Sequence, residues 1–320
     1  MPALANRFHV GAGTHIGPIT VFPVWSEGRT DEQYITSAPA GLEINELESA
    51  SVGTLTVTNQ SDKTVLIPEG TILYGGLQTR VLTADVLLGA GRQDHLEVRC
   101  VEQGRWGSKV PTAFAGRAPI TVVGALRGLR RGTRTRDRAN QQDVWQRVNF
   151  YEKTYGSRMS SSLESIKNLR TDDMMVVNDH FETARIRTNA QLADGVKREL
   201  QQLAINPLPG QNGVMIGLSG QPVLLEIFSD ELAFREQLSA ILDAVAIDAP
   251  HATGENTPGR RAVRFADFIM DQPLIESDIA PNLFTGSSDR LDMRSLLGAS
   301  QRGLLHTAVV NARHELVLAA

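Results

Sequence analysis

The sequence predicts an α+β protein: an N-terminal antiparallel β domain, sandwich or jelly-roll-like, followed by a helical segment and a C-terminal α+β unit. Three observations carry this reading. From Ile19 to about Gly124, short runs rich in β-branched residues (ITVFPVW, LEINEL, GTLTVTN, KTVLIP, GTILYGG, LEVRCVE) are separated by Gly, Pro, Asn, Asp and Ser. From Asn140 to about Leu203 apolar residues recur at helical spacing. Beyond Asn206-Pro207-Leu208-Pro209-Gly210 strands and helices are interspersed. The expected organisation is therefore a β domain over 1–125, an Arg-rich linker over 126–139, a helical segment over 140–205 and an α+β unit over 206–320.

Each element has a local reason. In Gly53-Thr54-Leu55-Thr56-Val57-Thr58-Asn59 the leucine and valine share one face and the threonines the other, as in a half-buried strand. Trp145, Val148 and Glu152 fall at turn spacing, and Val196, Leu200 and Leu203 form one stripe. Pro207 disfavours a helical Asn206, and Pro209 makes continuation harder still. GVMIGL and PVLLEIF flank Ser219-Gly220-Gln221 as a hairpin. A helix follows with Ser229 as its N-cap and Phe234, Leu238, Ile241, Leu242 and Val245 on its buried face. Another spans 262–270 before Pro273, and two strands, 303–310 and 315–318, close the chain. No period of repeat length recurs, which disfavours solenoids and propellers.

With 320 residues, 41% hydrophobic, 21% charged and a net charge of −4, the chain lies in the ordinary globular range, with no general attraction to nucleic acid or anionic membrane. Cys100 is the only cysteine, which excludes an intrachain disulfide and a multi-thiolate zinc site and suits a reducing compartment. The N-terminus lacks a basic stretch followed by an apolar one, and no segment is apolar enough to span a membrane; the expected location is cytoplasmic.

Standard catalytic signatures are missing. There is no GxxxxGK[ST] loop, HExxH, GxSxG or EF-hand loop. Gly11, Gly13 and Gly17 in VGAGTHIG mimic a dinucleotide-binding turn, but a strand rather than a helix follows them. The seven histidines are dispersed, and Asp179-His180-Phe181-Glu182 reads as a solvated helix surface. Cys100 reads as a small buried hydrophobe, since no base for a nucleophile is identifiable. No metal site and no cofactor is assigned.

Chemistry concentrates in residues 66–106, where Glu69, Gly75, Gly76, Gln78, Arg80, Glu102, Arg105 and Trp106 alternate with apolar strand residues. Two readings stand. In one, Gly75 and Gly76 let the backbone approach a ligand, Gln78, Arg80 and Arg105 bind an anionic group and Trp106 stacks on a ring. In the other, Glu69, Arg80, Glu102 and Arg105 pair with one another to pin the hairpins. Downstream, LRGLRRGTRTRDR places six arginines between Arg127 and Arg138 with no apolar stripe, the pattern of a solvated, mobile linker. It lacks the interleaved aromatics of single-strand platforms, so nucleic acid is not an expected partner.

LIPEGTILYGGLQTR, RCVEQGRW, GVMIGLSGQPVLLEIF and the late GLLHTAVV with HELVL, in this order, resemble the ADP-ribosylglycohydrolase- and rhodanese-phosphatase-associated protein domain family (ARPP-type). The resemblance implies a protein defined by its neighbours, linked to ADP-ribose, NAD or RNA-repair metabolism, and brings no catalytic residues with it. The expected function is a binding or accessory module for an anionic, nucleotide-like small molecule. The alternatives are an enzyme acting on such a ligand, with Glu69 or Glu102 as general base, and a purely structural or interaction protein. The oligomeric state is not legible.

Overall fold

The computed structural model describes residues 7–27, 30–102, 110–131, 140–156, 180–298 and 303–319. Its described strands, in chain order, are β1 (Phe8–Val10), β2 (Thr14–Ile16), β3 (Ile19–Ser26), β4 (Leu42–Ser51), β5 (Thr54–Asn59), β6 (Val65–Ile67), β7 (Thr71–Gly76), β8 (Arg80–Leu82), β9 (Val86–Leu88), β10 (Gln93–Cys100), β11 (Val110–Arg117), β12 (Gly213–Leu218), β13 (Gln221–Phe228), β14 (Ile275–Glu276), β15 (Leu283–Ser287), β16 (Leu291–Leu297) and β17 (Leu304–Asn311). The described α-helices are α1 (Ile120–Leu126), α2 (Gln141–Tyr155), α3 (His180–Ile205), α4 (Glu231–Ala246), α5 (Gly259–Met270) and α6 (Glu315–Leu318). All the paired strands within the sheets run antiparallel, so the protein is α+β and sheet-rich.

The sheets do not divide the chain at residue 125. Strands β4, β5, β7, β8, β10 and β11 form one sheet in the order β11-β7-β8-β10-β5-β4, with β6 and β9 paired beside it. The first three strands leave that unit: β3 pairs with β12, and the large sheet runs β1-β3-β12-β13-β17-β16-β15-β14, with β2 on β3. The N-terminal segment thus completes the C-terminal sheet. The reason is visible in ITVFPVWS, whose apolar residues point both ways: Ile19 and Val21 enter the core beneath α4, and Phe22 and Val24 enter the core beneath α5. A strand apolar on both faces is buried in the middle of a covered sheet rather than at a half-solvated one.

Two other expectations change. TVVGAL falls at the end of the stretch read as strands and turns, yet it forms α1, and Gly124 lets that helix sit against α6: a Cβ there would lie 2.2 Å from the Val317 carbonyl oxygen. The segment read as a final strand, Glu315–Leu318, is α6, a single turn started by His314, whose Nδ1 accepts the Leu316 N–H at 3.2 Å. Helix α2 presents Val144, Val148, Tyr151 and Tyr155 to α1 and the first sheet. The α4 N-cap is Asp230, one residue beyond the expected Ser229, its side chain accepting the Ala233 N–H at 2.9 Å.

Candidate functional site

The sequence-predicted residues separate into two places and one group that lies outside the described residues. Arg105 and Trp106 belong to the last. Gln78, Arg80 and Glu102 come together where β8 meets β10, since Arg80 stands opposite Cys100. Arg80 is buried and its guanidinium grips Glu46 in a two-point pair, at 2.7 and 3.0 Å, while Nε donates to the Val52 carbonyl at 3.2 Å. Glu102 accepts the Thr79 N–H at 3.1 Å. Gly75 and Gly76 serve the same packing: with φ of 108° and 59°, a Cβ on Gly75 would lie 2.4 Å from the Pro111 carbonyl, and one on Gly76 2.9 Å from Glu46. Glu46, absent from the sequence reading, is therefore the centre of this cluster. The side-chain oxygen of Gln78 is buried with no hydrogen-bond partner among the described residues. Arg80 is consumed in an ion pair, but with Glu46 rather than with Glu69 or Glu102, so none of the pairs expected among the named residues forms among the described ones.

Glu69 lies elsewhere, in an ionic network between the two sheets. Arg127 holds Glu69 through Nη2 at 2.7 Å and also reaches the Asp292 side chain at 3.3 Å and the carbonyls of Asp292 and Ala308. Arg294 holds the other Glu69 oxygen at 2.8 Å. Beside them His306 Nδ1 meets Asp85 at 2.7 Å, its Nε2 faces Glu226 at 3.4 Å, and Arg117 donates to Glu226 at 2.9 Å. All eight are buried. Four carboxylates face three guanidiniums and one imidazole, so the network is neutral only when His306 carries a proton. Burial alone would lower the His306 pKa, but Asp85 and Glu226 outweigh it and push the value up to about 9. Burial would likewise raise Asp85 and Glu226; His306 and Arg117 hold both below their ordinary values.

Arg127 corrects the linker expectation for 126–139. Its first residues are docked: Leu126, Arg127 and Leu129 are buried, and Arg130 pairs with Asp143. Residues 132–139 lie outside the described residues. The missed members of the network carry one legible signal. Glu226 in PVLLEIF, Asp292 and Arg294 in LDMRSLL and His306 in LLHTAVV are charges set inside apolar strands buried on both faces. Cys100 is buried as expected, its thiol pushed up chiefly by burial, and its backbone is clasped by the Gln141 side chain at 2.9 and 2.7 Å.

A different surface gathers four arginines, and carboxylates consume fewer of them. At the end of the large sheet where the turns after β12, between β15 and β16 and after β17 meet, a cavity of about 730 Å³ is lined by Arg261, Arg264, Phe265 and Phe268 of α5, by Arg290 and Arg313, and by Glu255 and Glu315. The helix residues sit three and four apart and so share one face. Arg261 donates to the Gly220 carbonyl at 2.6 Å, and Arg313 pairs with Asp289. The Arg290 guanidinium stands 5.3 Å from the centre of the Phe268 ring. Among the described residues neither Arg264 nor Arg290 has a carboxylate partner. His314, buried beside the cavity, has its pKa lowered chiefly by burial, and its Nε2 lies 3.1 Å from the Leu218 carbonyl.

Fold and site together define an antiparallel α+β protein with a buried ionic seam and an open cavity bearing cations and aromatic rings. The chain belongs to the ARPP-1 family, described as the ARG and Rhodanese-Phosphatase-superfamily-associated Protein domain, whose model matches residues 7–309. Searches of curated proteins and of solved structures returned no match. Among the described residues no helix is long and apolar enough to cross a membrane, and no cluster of three or more metal-ligating side chains is present.

Proposed function

We propose that this protein is a binding module for an anionic, nucleotide-like small molecule, held in the cavity between α5 and the turns of the large sheet. The observation that carries the reading is the contrast among its arginines. Arg80, Arg117, Arg127 and Arg294 are buried against carboxylates, whereas four arginines line the cavity against two acids, and two of these arginines have no carboxylate partner among the described residues. Guanidiniums free of counter-charge suit phosphate oxygens, and Phe265 and Phe268 supply ring surface for a base. A volume of about 730 Å³ lies within the range of small-molecule sites. The family's description, naming an ARG association, supports ADP-ribose and NAD as the first probes.

A general-base role for Glu69 fits the geometry poorly, because both of its oxygens are held by guanidiniums in a buried seam. The inward turn of Arg127 and the pairing of Arg130 with Asp143 favour a small ligand over a nucleic-acid strand. The test is calorimetric titration with ADP-ribose, NAD and AMP of the wild type and of an Arg264→Gln/Arg290→Gln double variant. Binding that weakens by roughly tenfold or more in the variant, with an unchanged melting midpoint, is expected, since charge-assisted hydrogen bonds are lost from an exposed site. Absence of binding, or affinity indifferent to both substitutions, would refute it.

A further inference from the structure

A second cavity, of about 410 Å³, opens between the β14 edge of the large sheet and the N-terminal β unit. Its chemistry is the reverse of the arginine-lined cavity. Glu97, Glu276, Asp278 and Asp292 face it together with Arg127 and Arg294, and Ser277, Ser287, Thr83 and Thr285 add hydroxyls. Leu126, Ile275 and Ile279 form its apolar part.

The two guanidiniums are not equivalent. Every nitrogen of Arg127 has a protein acceptor. Arg294 is also more than nine-tenths buried, but only its Nη1 is bonded, to Glu69 and to the Thr83 carbonyl, each at 2.8 Å. Its Nε stands 3.9 Å from Asp292, beyond hydrogen-bond reach. Nε and Nη2, the edge that accepts a carboxylate side-on with two parallel bonds, have no acceptor among the described residues. Arg294 lines this cavity, and neither nitrogen is among the fully buried polar atoms that lack a partner, so the edge reaches accessible space. Glu276, on the exposed wall, pairs with Phe284 through the strand, and its side chain has no ion-pair or hydrogen-bond partner among the described residues.

From this donor edge set among carboxylates we infer that the cavity binds a free aliphatic α-amino acid, its carboxylate on Arg294 Nε and Nη2, its ammonium toward Glu276 and Asp278, and its side chain on Leu126, Ile275 and Ile279. Competing classes each leave a charge unanswered. A phosphate or dicarboxylate would bring its extra charge against Glu276, since Glu97 and Asp292 are already answered by Arg99 and Arg127. A polyamine would leave the Arg294 edge desolvated without an acceptor, which is unfavourable for a buried cation. A peptide end offers only one of the two charges beside its α-carbon. The zwitterion answers both, and a medium-sized amino acid suits a site at the small end of the ligand-cavity range.

The experiment uses the full chain and leucine, with N-acetyl-leucine and leucine amide as controls that each lack one charge. Leucine is expected to raise the melting midpoint, because a ligand of the folded state stabilises it, and neither control should do so at the same concentration. Glu276→Gln, at an exposed residue without a side-chain partner among the described residues, should leave the ligand-free midpoint unchanged and weaken leucine binding roughly tenfold by calorimetry. The Arg264→Gln/Arg290→Gln variant should bind leucine as the wild type does, which separates this site from the arginine-lined cavity. No response to leucine, a response to either control as large as that to leucine, or an unchanged affinity in Glu276→Gln would each overturn the assignment.

Discussion

His306 makes the stability of this fold depend on alkaline pH in a calculable way. In the folded protein the imidazole titrates at about 9, against 6.5 when unperturbed. A group whose pKa is raised by folding contributes stability that is complete below its unfolded pKa and disappears as pH rises through the folded one. Over the window from 6.5 to about 9 the loss is about 3 kcal/mol, of which about 2 kcal/mol falls between roughly pH 7 and 8.5. That narrower range lies above the Asp248 titration, at about 7, and below the range in which the raised Cys100 thiol contributes. Urea unfolding followed by tryptophan fluorescence at several pH values across it measures the slope. His306→Gln should start lower, because Asp85 and Glu226 then sit buried beside one another without the cation, and should lose most of the pH dependence. A His306→Gln slope equal to that of the wild type would show that the network does not hold the proton, and the reasoning would fail.

Three further expectations follow from the packing. Asp248, buried against Tyr151 and the Ile120 N–H, has its carboxyl pushed up by burial to about 7, so its own contribution to stability falls as pH rises from about 4 to 7 while that of His251, lowered by burial to about 4, rises; the stability of the wild type relative to Asp248→Asn should therefore decline across this range in denaturation midpoints. Arg80→Met leaves Glu46 buried without its cation and should lower stability by about 3 to 5 kcal/mol, with much of the loss recovered in Arg80→Met/Glu46→Leu; a double variant no more stable than the single would contradict a dominant charge-pair role. Gly124→Ala gains about 1 kcal/mol of helix propensity but drives a methyl into the Val317 carbonyl, so a net loss of about 1 to 3 kcal/mol is expected in the same assay.

The sequence by itself determined the α+β class, most strands of the first sheet, the β12–β13 hairpin, the stripe of α4 and the burial of Cys100. These rest on local periods, turn residues and caps, which act within a few positions of the chain. Only the tertiary structure decided that β1 to β3 join the C-terminal sheet, that TVVGAL is a helix and that Arg127 is interior. An apolar run satisfies either state until its neighbours choose, and an arginine in a polar stretch reads as solvated unless a carboxylate distant in sequence is known to meet it. Glu46 with Arg80, and Glu69 with Arg127 and Arg294, are such meetings, at separations of 34, 58 and 225 residues. The arginine-lined cavity was illegible for the same reason: its face of α5 shows as an amphipathic stripe, but Arg290 and Arg313 reach it only because antiparallel pairing brings their turns to one end of the sheet.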